Sequence, residues 1–100
     1  MSASYNTGIS DKVIEEIKAL AKKYGVEYVK LFGSRARGDY RKTSDIDLAF
    51  CGGDAARFIL SVDEDTSTLL KFDIVDMGSC VDEDLRTSIE REGVMIYEKM

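Results

Sequence analysis

A Gly-Ser pair followed by two closely spaced aspartates is the feature of this chain best suited to chemistry. Ten residues separate Gly33-Ser34 from Asp45, and Asp47 follows Asp45 with one residue between them. Glycine lets a backbone approach a ligand closely, and backbone N–H groups at a helix start, with a serine hydroxyl, can donate to phosphate. Alternate side chains of a strand share a face, so Asp45 and Asp47 would lie side by side and repel each other unless a cation intervened. Mg²⁺ prefers such carboxylates together with phosphate oxygens, which indicates metal-assisted chemistry on a nucleotide phosphate.

Other nucleotide-binding motifs fit this stretch poorly. Gly33 and Gly38 have the spacing of P-loop glycines, but Asp39 stands where that motif has Lys, and Tyr40 where it has Ser or Thr. A dinucleotide-binding fold has no support, because the chain contains no Gly-x-Gly-x-x-Gly. The absence of histidine excludes catalytic triads and imidazole metal sites. An isolated Asp-x-Asp is often only a cap and a solvated side chain, but the adjacent glycine turn favours the metal interpretation.

The combined pattern resembles the signature of the minimal nucleotidyltransferases, or MNT proteins, of the DNA polymerase β-like superfamily. That signature is Gly-Ser, a spacer of about this length and Asp-x-Asp, and its diagnostic part here runs from residue 33 to residue 50. The family also needs a third carboxylate on a neighbouring strand, and Asp73 matches that position. Asp76 would point to the opposite face of the strand and serve in a turn.

The resemblance implies a catalytic site that is also a metal site. Asp45, Asp47 and Asp73 would hold two Mg²⁺ ions, with Asp73 completing the ion nearer to the attacking hydroxyl. The reaction would transfer a nucleoside monophosphate, because attack at the α-phosphorus releases pyrophosphate.

Basic residues surround the motif in a chain that is otherwise acidic. The formal net charge of −5 and the pI near 4.7 argue against a general nucleic-acid binder. The basic residues near the motif are Lys30, Arg35, Arg37, Arg41 and Lys42. Arginine can bind phosphate oxygens through two N–H groups. We therefore predict that Arg35 and Arg37 bind the triphosphate of ATP together with Gly33 and Ser34.

The elements that must position these residues predict one small α/β (α+β) domain. Hydrophobic spacing and caps indicate helices over residues 10–24 and, after a capping box of Ser79 and Asp82, up to Gly93. Strands are expected at 28–32, 45–51, 71–77 and 94–97, with a helical turn or two at 55–62 and an acidic loop at 63–65. This order predicts a polymerase β-like nucleotidyltransferase fold over residues 10–100. We expect a mixed sheet of about four strands, helices packed on one side, and a disordered stretch at residues 1–9.

Compartment and thiol state follow from what the sequence lacks. It shows no signal peptide and no apolar run near the ~20 residues that span a bilayer, so we expect a cytoplasmic protein with reduced thiols and no membrane partner. Cys51 and Cys80 lie too far apart for a Cys-x-x-Cys motif, so neither a zinc site nor a redox site is indicated.

The acceptor of the nucleotide must come from outside, because 100 residues leave no room for an acceptor-binding domain. Small members of the family that this chain resembles are commonly paired with a helical HEPN protein, often a ribonuclease toxin. The resemblance thus implies an antitoxin that adds AMP to a tyrosine hydroxyl of that toxin. Two alternatives remain open: a non-catalytic nucleotide-binding interaction module, and a nucleotidyltransferase for a small molecule such as an antibiotic, with its acceptor pocket formed across a homo-oligomer. No residue can be assigned to base recognition.

Overall fold

Strands and helices alternate along the chain in nearly the predicted order. The computed structural model describes residues 7–79 and 81–99. Its elements are α1 (Asp11–Lys23), β1 (Tyr28–Phe32), α2 (Ser34–Arg37), β2 (Ile46–Cys51), α3 (Ala55–Asp65), β3 (Phe72–Asp76), α4 (Glu83–Glu92) and β4 (Val94–Glu98). The strand order in the sheet is β3-β2-β1-β4. Strands β2 and β3 are parallel, whereas β1 is antiparallel to both β2 and β4. The mixed sheet of about four strands is therefore confirmed.

Helices α1 and α3 cover one face of the sheet. Ser10 caps α1 by accepting a hydrogen bond from the Val13 backbone N–H, and the apolar stripe of the helix is buried as its spacing predicts. The largest hydrophobic cluster contains Val13, Ile14, Ile17 and Ala21 of α1, Val29 and Leu31 of β1, Ile46, Leu48 and Phe50 of β2, and Phe58 and Val62 of α3.

Helix α4 packs on the opposite face, so the prediction that all helices lie on one side is wrong. A second cluster is built around Ala49 and Ile89, with Leu85 of α4 and Val75 of β3 against it. Ala49 alternates with the residues of the first cluster along β2 and so faces away from α1 and α3. The reason is that the second face also carries apolar residues, among them Ala49 and Val75, and an apolar surface requires a cover. Because Asp47 and Ala49 share a face, α4 lies on the side of the sheet that carries the aspartates.

Helix α3 is longer than the sequence suggested. The acidic residues 63–65, expected in a loop, form its last turn. Negative charge opposes the dipole at a helix C-terminus, which is why the local sequence argued for a loop. Burial of Phe58 and Val62 supplies the opposing stabilisation, and the Thr66 hydroxyl donates to the Val62 carbonyl at 2.8 Å at the end of the helix.

Helix α4 begins later than the expected capping box. Asp82 is its N-cap and accepts a hydrogen bond from the Leu85 backbone N–H at 3.3 Å. The Ser79 hydroxyl instead donates to the Asp76 carbonyl at 2.8 Å, and the Asp76 carboxylate accepts from the Gly78 backbone N–H at 2.9 Å. Asp76 thus has the turn role that was predicted for it.

The segment before α1 is packed on the domain from residue 7 onward. Thr7 and Ile9 are only 4% and 8% exposed, and Ile9 belongs to the main cluster. The disorder expected for residues 1–9 therefore does not hold for residues 7–9, because Ile9 contributes to the core. Residues 1–6 and Cys80 lie outside the described residues. Over the part of the chain that is described, no helix combines the length and the apolar character that crossing a bilayer requires.

Candidate active site

The three predicted aspartates lie at neighbouring positions on the sheet. Asp47 of β2 is the register partner of Asp73 of β3 in the parallel pair, and Asp45 stands directly before β2. The Ile46 backbone N–H donates to the Lys71 carbonyl at 2.9 Å, so the pairing of the two strands is already fixed beside Asp45. Carboxylates at paired positions of adjacent strands share a face.

The electrostatics of Asp47 reflect this crowding. Burial raises the pKa of the Asp47 carboxyl above its ordinary value, and the charges of Asp73 and Asp45 raise it further. The positive charges of Arg37 and Arg35 act in the opposite direction without cancelling the shift. Asp47 therefore stands in a field of negative charge that a cation would relieve.

The donor set fits a hard divalent cation. Asp45, Asp47 and Asp73 offer only carboxylate oxygens, the ligands that Mg²⁺ prefers. In residues 7–79 and 81–99, no group of three or more His, Cys, Asp or Glu side chains is already arranged to hold a metal ion. The backbone thus brings the aspartates to one face, and side-chain rotation would be needed for them to reach a common ion.

Gly33 brings the turn before α2 into close approach with Asp47. It follows β1, and Phe32 before it is the register partner of Asp47. A side chain at Gly33 would overlap the Asp47 carboxylate, and the Gly33 backbone has φ 76° and ψ −156°, a region essentially restricted to glycine. Both space and conformation therefore require glycine here.

Ser34 opens the short helix α2 immediately after this turn. The Gly33 carbonyl accepts hydrogen bonds from the backbone N–H groups of Ala36 and Arg37, both at 3.1 Å. The helix ends at Gly38, which has φ 92° and donates to the Ser34 carbonyl at 2.9 Å. The first N–H groups of a helix have no intrahelical acceptor, so those at Ser34 and Arg35 suit an anionic ligand.

Arg37 is exposed at the end of α2, and its side chain reaches the end of α4. Its guanidinium approaches the Asp39 carboxylate at 3.4 Å and the Glu92 carboxylate at 3.5 Å. Exposed pairs at such distances are weak, so phosphate oxygens could compete for the guanidinium. Sequence reasoning did not include Glu92 in the site, because no local pattern indicates which face of the sheet α4 covers.

Arg35 differs from its prediction as a nucleotide ligand. Its side chain is buried, with 1% of the residue exposed, and its hydrogen bonds go to backbone carbonyls of Thr7, Arg41, Lys42 and Ser44. A guanidinium engaged in this way does not face the solvent from which ATP would arrive. Of the two predicted arginines, Arg37 is the one on the accessible surface.

A known protein family matches most of the chain. Residues 15–100 match the family described as polymerase beta, nucleotidyltransferase. The chain therefore belongs to the polymerase β nucleotidyltransferases, and the predicted membership is confirmed.

One curated protein is similar in sequence to this chain. A protein of Methanocaldococcus jannaschii named "Putative protein adenylyltransferase MJ0604" is 41% identical over an alignment of 68 positions that covers 65% of this chain and 66% of that protein. The chain thus matches slightly less than two thirds of that relative's length.

Two of the similar solved structures come from toxin–antitoxin systems. One is described as a toxin–antitoxin with AMP-PNP, with TM-score 0.66, 24% identity, and coverage of 87% of this chain and 74% of that chain. The other is a mutant of the toxin–antitoxin MntA–HpeT, with TM-score 0.67, 24% identity, and coverage of 86% and 72%. At this identity the likeness shows the fold alone.

Proposed function

We propose that this protein is a Mg²⁺-dependent adenylyltransferase that moves AMP from ATP to a tyrosine hydroxyl of a partner toxin and thereby acts as an antitoxin. The observation that carries the proposal is the contact between Gly33 and Asp47, with Asp73 paired to Asp47 on the next strand. The turn that would bind phosphate is therefore close to a group of carboxylates, and this closeness supports metal-assisted nucleotide chemistry.

The phosphate side of the site would be formed by the start of α2. Backbone N–H groups and the Ser34 hydroxyl would donate to the β- and γ-phosphates, which approach closely because Gly33 has no side chain. Arg37 would exchange its exposed carboxylate partners for phosphate oxygens.

The acceptor hydroxyl would attack the α-phosphorus from the side of the aspartates. A bond forms between the tyrosine oxygen and the α-phosphorus, the bond from that phosphorus to the bridging α–β oxygen breaks, and pyrophosphate leaves while the hydroxyl proton passes to solvent. Asp45, Asp47 and Asp73 would hold Mg²⁺, which when bound neutralises charge on the triphosphate and lowers the pKa of the attacking hydroxyl. The aspartates themselves fix where the phosphates and hydroxyl meet.

The partner is proposed to be a helical toxin of the HEPN type. Asp45 and Asp73 are exposed, so the aspartate side of the site is open to a large acceptor. Similar solved structures are described as toxin–antitoxin systems, and the curated relative is named "Putative protein adenylyltransferase MJ0604". Both support a protein acceptor over a small molecule.

The test is transfer of label to the captured partner. The protein is incubated with its co-purified partner, Mg²⁺ and ATP labelled at the α-phosphate, in parallel with ATP labelled at the γ-phosphate. Asp73→Asn should abolish α-label transfer. Asp76→Asn is the matched control, because Asp76 lies on the same strand but its carboxylate binds within the turn that follows. This variant should transfer label normally.

The outcomes distinguish adenylyl transfer from phosphorylation and from nucleotide binding without catalysis. Label from the α-phosphate alone, mapped by mass spectrometry to a tyrosine, would support adenylyl transfer. Label from the γ-phosphate would indicate phosphorylation and contradict it. ATP binding with no label on the partner, in wild type and Asp73→Asn alike, would favour the interaction module that binds nucleotide without catalysis.

A further inference from the structure

Arg35 is a cation buried among backbone carbonyls. Its Nη1 donates to the Thr7 carbonyl at 2.8 Å, and its Nε and Nη2 both donate to the Ser44 carbonyl, at 3.1 and 2.9 Å. The ion pairs found among the described residues do not include Arg35. A buried charge is costly unless its hydrogen-bond donors are satisfied, so these carbonyls must be held in place for the guanidinium to remain there.

Apart from that of Thr7, the carbonyls that Arg35 binds belong to one closed turn. Nη2 also donates to the carbonyls of Arg41 and Lys42, at 3.4 and 3.3 Å. Within the turn, the Ser44 backbone N–H donates to the Arg41 carbonyl at 3.0 Å, and the Ser44 hydroxyl accepts from the Arg41 backbone N–H at 2.8 Å. Residues 41–44 therefore form one hydrogen-bonded turn that Arg35 connects to α2.

This turn leads directly into the carboxylate site. Asp45 follows Ser44, and the next residue, Ile46, donates its backbone N–H to the carbonyl of Lys71, directly before β3. Asp45 is thus fixed on its C-terminal side by the sheet and on its N-terminal side by the turn that Arg35 holds.

The geometry points to Arg35 as the positioning residue that sets Asp45 relative to Ser34, coupling the phosphate-binding turn to the metal-binding carboxylates. This inference rests on the proposed function. One side chain, rooted one residue after Ser34, ends on the carbonyl one residue before Asp45, so the two halves of the site share a rigid link.

Arginine is specifically suited to this task. Its planar guanidinium carries several N–H donors that bind the Thr7 and Ser44 carbonyls at once, whereas the charge and donors of a lysine lie on one ammonium nitrogen. The guanidinium also lies over the Tyr40 ring, at 5.0 Å from the centroid. Gly8 leaves room for the guanidinium and the Tyr40 ring, because a side chain at Gly8 would lie 2.5 Å from that ring and 2.8 Å from the Arg35 Nη1 atom.

The first experiment compares wild type with Arg35→Lys and Arg35→Met by amide hydrogen exchange. We expect exchange at the Ser44 and Ile46 amides to accelerate, while the β1 amides stay protected. Affinity for Mn²⁺, measured by paramagnetic resonance as a probe for Mg²⁺, should fall about tenfold or more, as is common when a group that orients metal ligands is removed. Arg35→Lys should keep part of the protection from exchange and part of the Mn²⁺ affinity that Arg35→Met loses. Arg86→Met is the matched control, because Arg86 also donates to a backbone carbonyl, that of Met77 at 3.1 Å, outside the predicted site residues.

The second experiment separates positioning from direct phosphate binding. If Arg35 positions Asp45, Arg35→Lys should lower the transfer rate about tenfold or more while the ratio of ATP to AMP affinity stays that of wild type. A selective loss of ATP affinity would overturn the proposal in favour of a phosphate ligand. Equal acceleration of exchange throughout the sheet, or unchanged exchange and Mn²⁺ affinity, would also overturn it.

Gly8→Ala keeps the proposal testable if both Arg35 variants fail to fold. The new methyl group would displace the Arg35 guanidinium although Gly8 itself is not a site residue. We expect faster exchange at the Ser44 amide and weaker Mn²⁺ binding. An unchanged Ser44 amide in a folded Gly8→Ala protein would contradict the proposal. Neither amide exchange nor Mn²⁺ binding depends on the transfer of AMP. A wild-type protein in which Arg35 orders the turn, but which transfers no AMP, would therefore disprove only the proposed function.

Discussion

At the scale of single residues, Gly33 is the position where conformation and chemistry constrain the chain together. Gly33→Ala should lower the free energy of unfolding by about 1–3 kcal/mol, because an L side chain is strained in that backbone conformation. It should also abolish transfer, since the new methyl group would displace the Asp47 carboxylate. Urea unfolding and the label-transfer assay measure the two effects.

Gly38 provides the control for Gly33. Its φ is also positive, at 92°, but a Cβ there would meet no heavy atom within 4 Å. Gly38→Ala should therefore cost about 1–2 kcal/mol of left-handed strain while leaving transfer largely intact. Equal loss of transfer in both variants would mean that the contact with Asp47 is not what makes Gly33 essential.

Asp47 should destabilise the metal-free protein when it is ionised. Its folded pKa is raised, so the penalty is present above the folded pKa and disappears as the pH falls below the ordinary aspartate value of 3.8. Without metal at pH 7, Asp47→Asn should raise the free energy of unfolding by less than about 1 kcal/mol, because solvent screens the half-exposed group. The gain should shrink from pH 7 to pH 4 in thermal unfolding. A gain of the same size in Asp76→Asn would contradict this explanation.

A local sequence pattern was enough to select candidate site residues, whereas the surroundings of a residue that depend on tertiary placement could not be predicted. Gly33, Asp45 and Asp47 form a compact motif in sequence, and Asp73 matches a family position on a strand. The role of Arg35 depends on Thr7, 28 residues away, and on a turn whose closure the sequence does not indicate. Its charge suggested phosphate, whereas burial directs it to carbonyls.

At the scale of elements, Glu16 ties α1 to the loop between α3 and β3. Its carboxylate accepts from the Ser67 backbone N–H at 2.8 Å and from the Ser67 hydroxyl at 2.7 Å, which lowers the pKa of Glu16. Glu16→Ala should therefore lower the melting temperature at neutral pH. Because the folded pKa is lowered, this contribution is present above the ordinary value of 4.5 and is lost as the pH falls through the folded pKa.

Glu15 is the control on the same helix. It makes an exposed ion pair with Lys18 at 3.2 Å, of a kind that contributes little. Glu15→Ala should change the melting temperature less than Glu16→Ala at pH 7, and the difference between the variants should vanish in acid. A persistent difference at low pH would show that Glu16 acts by packing and not by charge.

The boundaries of the elements follow from the sequence where caps are local and fail where packing decides. Ser10 and the strand of residues 28–32 were placed closely because one side chain or one apolar run defines each. The acidic end of α3 was missed because Val62 and Phe58 stabilise it through contacts with other elements. The face on which α4 packs depends on the sheet as a whole, which no window of sequence contains.

At the scale of the whole molecule, α4 divides the second face of the sheet into a covered part and an open part. Ala49 and Ile89 are fully buried, whereas Asp73 is exposed on the same face. The site therefore occupies the part of the sheet that α4 leaves open, with Glu92 near the end of α4 at its border. Helices pack on both faces of the sheet that carries the aspartates, while the surface beside Asp73 remains exposed.

Ligand binding should stabilise the whole domain if the site works as proposed. A ligand that binds only the folded state at about 100 times its dissociation constant adds about 2.7 kcal/mol, which for a domain of this size is a shift of roughly 10–20 °C in melting temperature. ATP with Mg²⁺ should produce such a shift, and AMP with Mg²⁺ a much smaller one, because AMP lacks the phosphates that α2 would bind. EDTA, or the double substitution Asp45→Asn and Asp47→Asn, should remove most of the ATP shift. An ATP shift of full size in EDTA would show that nucleotide binds without help from the carboxylates, and the metal would then have no part in holding the substrate.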